Sequence, residues 1–175
     1  MINDNLLYFY ELAKNNELIY RANHSCFNGI SCLVLFEQKN TIRVIGITSQ
    51  GDWFLNTKYE FCLLNEESSY FKLVNLLEVS YIDIRDQIYM RFDQLLDNDN
   101  YRVENIFPFY NIIKFVFQYM PSTYWLELAY GWLDMLTLSQ KKQLMPILKE
   151  LTETKRLSQQ LRHRIRKDLR TLYMH

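Results

Sequence analysis

His24–Ser25–Cys26 is the only place in the chain where a thiol and an imidazole stand almost adjacent. That pair is the minimum for thiol nucleophilic catalysis, because a neighbouring imidazole lowers the thiol pKa. Two residues apart in an extended segment, both would share a face simply by alternation. No third residue is indicated to orient the histidine, so a Cys/His hydrolase ranks third among the readings of this chain. A metal site from His24, Cys26, Cys32 and Cys62 lacks any Cys-x2-Cys or His-x3-His spacing, and none is expected.

The carboxylates Asp83, Asp86, Asp93, Asp97 and Asp99 have the oxygen chemistry that Mg²⁺ or Ca²⁺ requires. Asp97–Asn98–Asp99 opens like a calcium-binding loop. Arg102 then occupies the position that needs glycine, and Pro108 the position that needs a bidentate glutamate. These acids read as a solvated helix face or a docking surface for a basic element. Gly29, Gly46, Gly51 and Gly131 are isolated, so neither a phosphate loop nor a dinucleotide fingerprint can be written. No nucleophile elbow or zinc-protease helix occurs. The expectation is a non-enzymatic protein with no cofactor.

The strongest chemical signal is cationic. Between Lys155 and Arg170 stand seven basic residues, with only Asp168 opposing them. At 100° per residue, Leu157, Leu161, Ile165, Leu169 and Leu172 form one apolar stripe. Lys155, Arg162, Arg166 and Arg170 stand opposite, widened by Arg156, His163 and Lys167. Arg164 and Asp168, four apart at the stripe edge, are placed to pair. The predicted binding residues are Lys155, Arg156, Arg162, Arg166, Lys167 and Arg170. Arginine favours forked contacts to carboxylate or phosphate.

This segment belongs to a wider asymmetry. Residues 1–100 hold 8 Lys/Arg against 14 Asp/Glu, residues 101–175 hold 12 against 6, and the chain is neutral only by cancellation. Either the halves dock, with Asp83, Asp86 and Asp93 facing the basic helix, or one half meets a charged partner.

The elements that must position these groups follow from pattern. Asn3 or Asn5 can cap a helix to about Lys14, with Leu6, Leu7, Phe9, Tyr10 and Ala13 inward. Leu18–Ala22, Ile30–Phe36, Thr41–Thr48, Trp53–Asn56 and Lys58–Leu64 read as strands, separated by turns at 38–40 and 49–52. Consecutive antiparallel pairing is the economical arrangement. Residues 30–36 are apolar on both sides, with Ser31, Leu33 and Leu35 alternating against Cys32, Val34 and Phe36, which predicts a central strand.

From Ser69 the pattern is helical. Segments run to Val79, along Ile84–Ile88–Phe92–Leu95–Leu96, from Pro108 to Met120, and from Ser122 past Trp132. The last two begin at Ser139, with Pro146 kinking or dividing that helix, and at Thr152 or Thr154 for the basic helix. Ten aromatics lie between Phe107 and Trp132, and the stripe Trp125, Leu128, Ala129, Trp132 and Leu136 reads as core.

The fold expected is α+β: an N-terminal helix and small antiparallel sheet, then a helical C-terminal half. One domain spans 1–175, with a helix-and-meander part over 1–68 and a helical part over 69–175. The first residues lack a basic, then apolar, signal-peptide pattern, and no run approaches a membrane span. Three cysteines without a framework point to the cytoplasm.

The function expected is a protein-binding module of inhibitor, adaptor or toxin-neutralising (immunity-like) type, its basic helix meeting an acidic protein surface. The alternative is nucleic-acid binding through residues 155–170, which the near-neutral pI of 6.8 opposes.

Overall fold

The computed structural model describes residues 4–16, 30–38, 43–96 and 102–173. His24, Cys26, Asp97, Asp99, His175 and the expected strand Leu18–Ala22 lie outside the described residues. The architecture is α+β, with helix, four-stranded antiparallel sheet and helical C-terminal half in that order. Backbone contacts group the chain into two compact units, residues 1–69 with 82–108, and residues 70–81 with 109–175. The helix carrying Ile84, Ile88 and Phe92 therefore groups with the sheet, not with the helices after residue 108.

In the first unit, α1 (Asp4–Asn15) buries Leu6, Phe9, Tyr10 and Ala13, the i, i+3, i+4, i+7 positions of one face. The strands β1 (Cys32–Gln38), β2 (Arg43–Thr48), β3 (Trp53–Asn56) and β4 (Phe61–Leu63) pair in sequence order. Short turns impose this order. At 48–52 the Thr48 hydroxyl accepts the amides of Gln50 and Asp52, and Gly51 takes the positive φ of 80° that other residues resist. At 57–60 the Thr57 hydroxyl accepts the amides of Tyr59 and Glu60.

Among the described residues, β1 ends the strand order and is not central. Its burial on both sides has another cause. The register shifts between Val34 and Phe36, so a bulge at Leu35 returns Phe36 to the face of Leu33, opposite Ile45. Val34, Val44 and Phe54 pack on one face with Cys32, Phe61 and Leu63. Leu33, Phe36, Ile45, Ile47 and Leu55 fill the other.

That second face is closed by helical segments. Phe107, just after the short helix α3 (Val103–Ile106), meets Phe36 edge-on at 6.3 Å, and the Trp53 indole donates to the Ile106 carbonyl at 2.9 Å. Phe92 of α2 (Tyr81–Leu96) meets Phe9, and Arg91 pairs with Glu37 at 3.2 Å. Non-helical backbone at Phe92 kinks α2. Asp83, Asp86 and Asp93 are exposed on this helix.

In the second unit the segment expected as a helix from Ser69 is a 3₁₀ helix, Glu67–Glu78. Its inward residues follow the three-residue repeat: Tyr70, Leu73 and Leu76 in one row, Val74 and Leu77 in the next. The central helix α4 (Phe109–Tyr119) begins directly after Pro108 and buries Phe109, Ile112, Ile113, Phe115, Val116 and Phe117. Around it stand α5 (Thr123–Gly131), α6 (Leu138–Glu153) and α7 (Gln159–Tyr173).

The α6 cap is Thr137, not Ser139. Its hydroxyl accepts the Gln140 amide while the Gln140 side chain accepts the Thr137 amide, a reciprocal box. Pro146 lies within α6 without dividing it. The expected aromatic stripe holds only in part. Helix α5 ends at Gly131, so its inward residues are Leu126, Ala129 and Tyr130, while Trp125 is half-buried against exposed Tyr124. Trp132, past that end, is core and meets Phe109 at 5.4 Å.

Gly46 has a sharp steric reason. A Cβ there would lie 2.0 Å from the Leu33 carbonyl oxygen and 2.7 Å from the Phe54 ring. Gly46→Ala should therefore destabilise by about 2 kcal/mol or more, at the upper end of ordinary overpacking because backbone must move. Urea unfolding checks this. An unchanged midpoint would mean that β1 and β2 are not paired in this register.

Candidate functional site

The predicted cationic site divides into charges with internal work and charges without. The basic helix starts later than expected. Thr154 is the C-terminal cap of α6, its amide bonding the Leu151 carbonyl, and the Ser158 hydroxyl accepts the Leu161 amide at 3.3 Å to open α7. Lys155 and Arg156 thus lie in the 154–158 turn. Leu157, Leu161, Ile165 and Leu169 are buried as expected.

Arg156 points inward. Its guanidinium donates to the carbonyls of Met120 and, at 3.5 Å, of Gln118, closing the C-terminal end of α4. Its own carbonyl accepts the Thr123 hydroxyl at 2.9 Å, and Ser158 donates to Glu127 at 3.1 Å. Arg162 donates to the carbonyls of Thr154 at 2.9 Å and Leu157 at 3.4 Å. Arg166 reaches the Thr152 carbonyl and the Glu153 carboxylate. The last carbonyls of a helix lack intrahelical donors and carry its negative end, so cations there satisfy both needs.

On the opposite edge of α7, Arg164 and Asp168 do not pair with each other. Arg164 lies over the Tyr130 ring, 4.8 Å from its centroid, and Asp168 accepts the Tyr130 hydroxyl. Burial, then the bond to Asp168 and its charge, raise the Tyr130 pKa above the ordinary 10. Glu78 similarly raises that of Tyr124 through the 2.9 Å bond it accepts.

What remains is an exposed strip on the outer face of α7: His163, Arg166, Lys167 and Arg170, with Lys155 exposed on the preceding turn. Among the described residues, Lys155, Lys167 and Arg170 have no side-chain partner, and Arg166 has only the edge contacts above. Asp168, the one acid of α7, is turned to Tyr130. The internal roles of Arg156 and Arg162 were missed by helical projection. Their signal was Pro121 and Thr154, which mark helix ends beside arginines.

Of the other candidates, the thiols Cys32 and Cys62 are half-buried and on opposite sheet faces. Among the described residues no three His, Cys, Asp or Glu side chains are grouped to hold a metal ion. No helix there is long and apolar enough to cross a membrane.

Two outcomes follow. Arg156→Met should lower stability by about 1–3 kcal/mol, since it leaves part-buried helix-end carbonyls without donors, while Lys155→Met should fall within about 0.5 kcal/mol of the parent. Urea midpoints of the pair decide this; equal midpoints would contradict the capping role. For Tyr130 the folded chain holds the proton more tightly than the unfolded chain. The stability this contributes is complete below pH about 10 and declines as pH rises toward the folded value. Tyr130→Phe should therefore show a shallower loss of stability than the parent above pH about 10 in chemical unfolding, and parallel curves would refute the shift. No protein-family model, curated protein or solved structure matches the chain.

Proposed function

We propose that this protein is a cytoplasmic, non-enzymatic protein-binding module of inhibitor, adaptor or immunity-like type. In this reading the outer face of α7 engages an acidic surface of its partner. The observation that carries it is the exposed strip His163, Arg166, Lys167 and Arg170, where Glu153 meets Arg166 at one edge, Asp168 bonds Tyr130, and Lys167 and Arg170 have no side-chain partner among the described residues. Unit charge agrees. Residues 70–81 with 109–175 hold 12 Lys/Arg against 6 Asp/Glu, so the unit bearing α7 has a balance of +6. Such fields accelerate encounter with an oppositely charged surface.

A cleft of about 190 Å³ borders the same helix, with Leu133, Leu148, Ile165 and Leu172 beside Tyr130 and Asp168. It offers an apolar anchor point next to the charged strip, the pairing that concentrates binding energy at protein interfaces. Two of the arginines that the sequence offers for phosphate forks, Arg156 and Arg162, are engaged with backbone carbonyls. That favours a protein partner over nucleic acid.

The test is affinity purification from the native host with the parent and with Lys167→Glu/Arg170→Glu, each with and without nuclease. The variant should melt within about 0.5 kcal/mol of the parent, as exposed substitutions do, and lose a stoichiometric protein partner. Its residual association should be slower at low salt, because rim charges act mainly on the on-rate. Retained partner binding would refute the α7 reading. Nuclease-sensitive recovery would replace it with nucleic-acid binding, whose affinity must then fall steeply with salt.

A further inference from the structure

The outer face of α2 carries apolar side chains that a merely solvated helix face does not need. On a helix turning about 100° per residue, Tyr89, Ile82, Asp86, Met90 and Asp83 occupy one arc of about 120°. The buried Ile84, Ile88 and Phe92 lie opposite. Met90 is 82% exposed, Ile82 43% and Tyr89 37%. Three of the nine large apolar or aromatic side chains exposed among the described residues therefore share one helix face, whereas scattered single ones call for no explanation. Asp83, Asp86 and Asp93 are exposed with them. Arg85, at the rim of the arc, bonds Asp86 at 2.9 Å, and Arg91 pairs with Glu37.

A surface that covers this face has to offer cations beside apolar contact area, and the same chain carries one. On α7, Arg166, Arg170, His163 and Lys167 span an arc of about 100°. The cleft with Leu133, Leu148, Ile165 and Leu172 on its wall borders that helix. Spacing agrees as well as sign. Asp83 and Asp86 are three residues apart, as are Lys167 and Arg170, so each pair rises about 4.5 Å along its helix and the two can face each other. The unit bearing α2 has a balance of −6 and the unit bearing α7 one of +6, so two copies present opposite signs at these surfaces without net repulsion.

We propose that α2 of one copy docks on the α7 strip of a second copy, Asp83 and Asp86 meeting Lys167 and Arg170 while Ile82, Tyr89 and Met90 pack beside them against α7 and its apolar cleft. The inference rests on the reading of that strip as a docking surface for acidic protein, and it names the occupant. With the copies related by a two-fold axis the contact is made twice, α2 of each on α7 of the other, in the closed arrangement commonest among soluble oligomers.

Sedimentation equilibrium of the full chain between about 1 and 500 μM tests it. The parent should pass from monomer to dimer with Kd on the order of 10 μM at low salt. Association should weaken about tenfold or more at about 1 M NaCl, where charges act over only ~3 Å. Asp83→Lys/Asp86→Lys and Lys167→Glu/Arg170→Glu should each stay monomeric, because like charges then face each other, and each should melt like the dilute parent. Mixed in equal amounts, the two variants should form a heterodimer, since both contacts again pair opposite signs. That recovery also shows that neither variant is misfolded.

A parent that is monomeric throughout, an association that salt leaves unchanged, or a mixture that stays monomeric overturns the proposal. Retained association of Asp83→Lys/Asp86→Lys overturns it too, because α2 is then not the occupant. These results leave the host purification to decide the α7 reading separately. A different acidic protein recovered there, with a parent that is monomeric here, keeps that reading and discards this one.

Discussion

The helical unit depends on how the carbonyl ends of α4 and α6 are satisfied. Both ends lie in part-buried surroundings, and their last carbonyls lack intrahelical donors. Arg156 closes the first end, and Arg162 with Arg166 closes the second. The turn that carries Arg156 is held in place by Thr123 and by the Ser158–Glu127 contact. Removing one arginine would therefore free several groups at once, which a purely apolar contact would not do.

The same arrangement defines what α7 can present outward. Its apolar stripe faces inward, its two edges are occupied by helix-end carbonyls and by Tyr130, and only the outermost strip keeps unpaired charge. A basic helix is thus partly a structural device. Surface cations of this kind contribute little to stability.

In the sheet unit the controlling constraint is steric. Gly46 admits the Phe54 ring against the backbone of β1, and the bulge at Leu35 sends consecutive apolar residues into both layers. Charge follows the units closely. Residues 1–69 with 82–108 carry 8 Lys/Arg against 14 Asp/Glu, a balance of −6, and the exposed acids of α2 belong to it.

The amino-acid sequence by itself determined the order and kind of most elements. Alternation, turn residues and the 3.6-residue repeat act over a few neighbours, so α1, the four consecutive strands, α2, α4 and the Leu161–Ile165–Leu169 stripe were legible from local pattern. Trp53–Asn56 was read to the residue. Where several local signals compete, pattern failed. Thr152, Thr154 and Ser158 all suit a helix cap, and only the buried Leu157 and the Arg156 contacts decide that Ser158 opens α7. The place of β1, the bulge, the 3₁₀ geometry of Glu67–Glu78 and the half-burial of Trp125 were likewise tertiary decisions. So was the division of the basic residues into capping and free groups. A carbonyl 36 or 38 residues away leaves no periodic trace beside the arginine that meets it. Charge is a property of the residue, but whether that charge is available is a property of the fold.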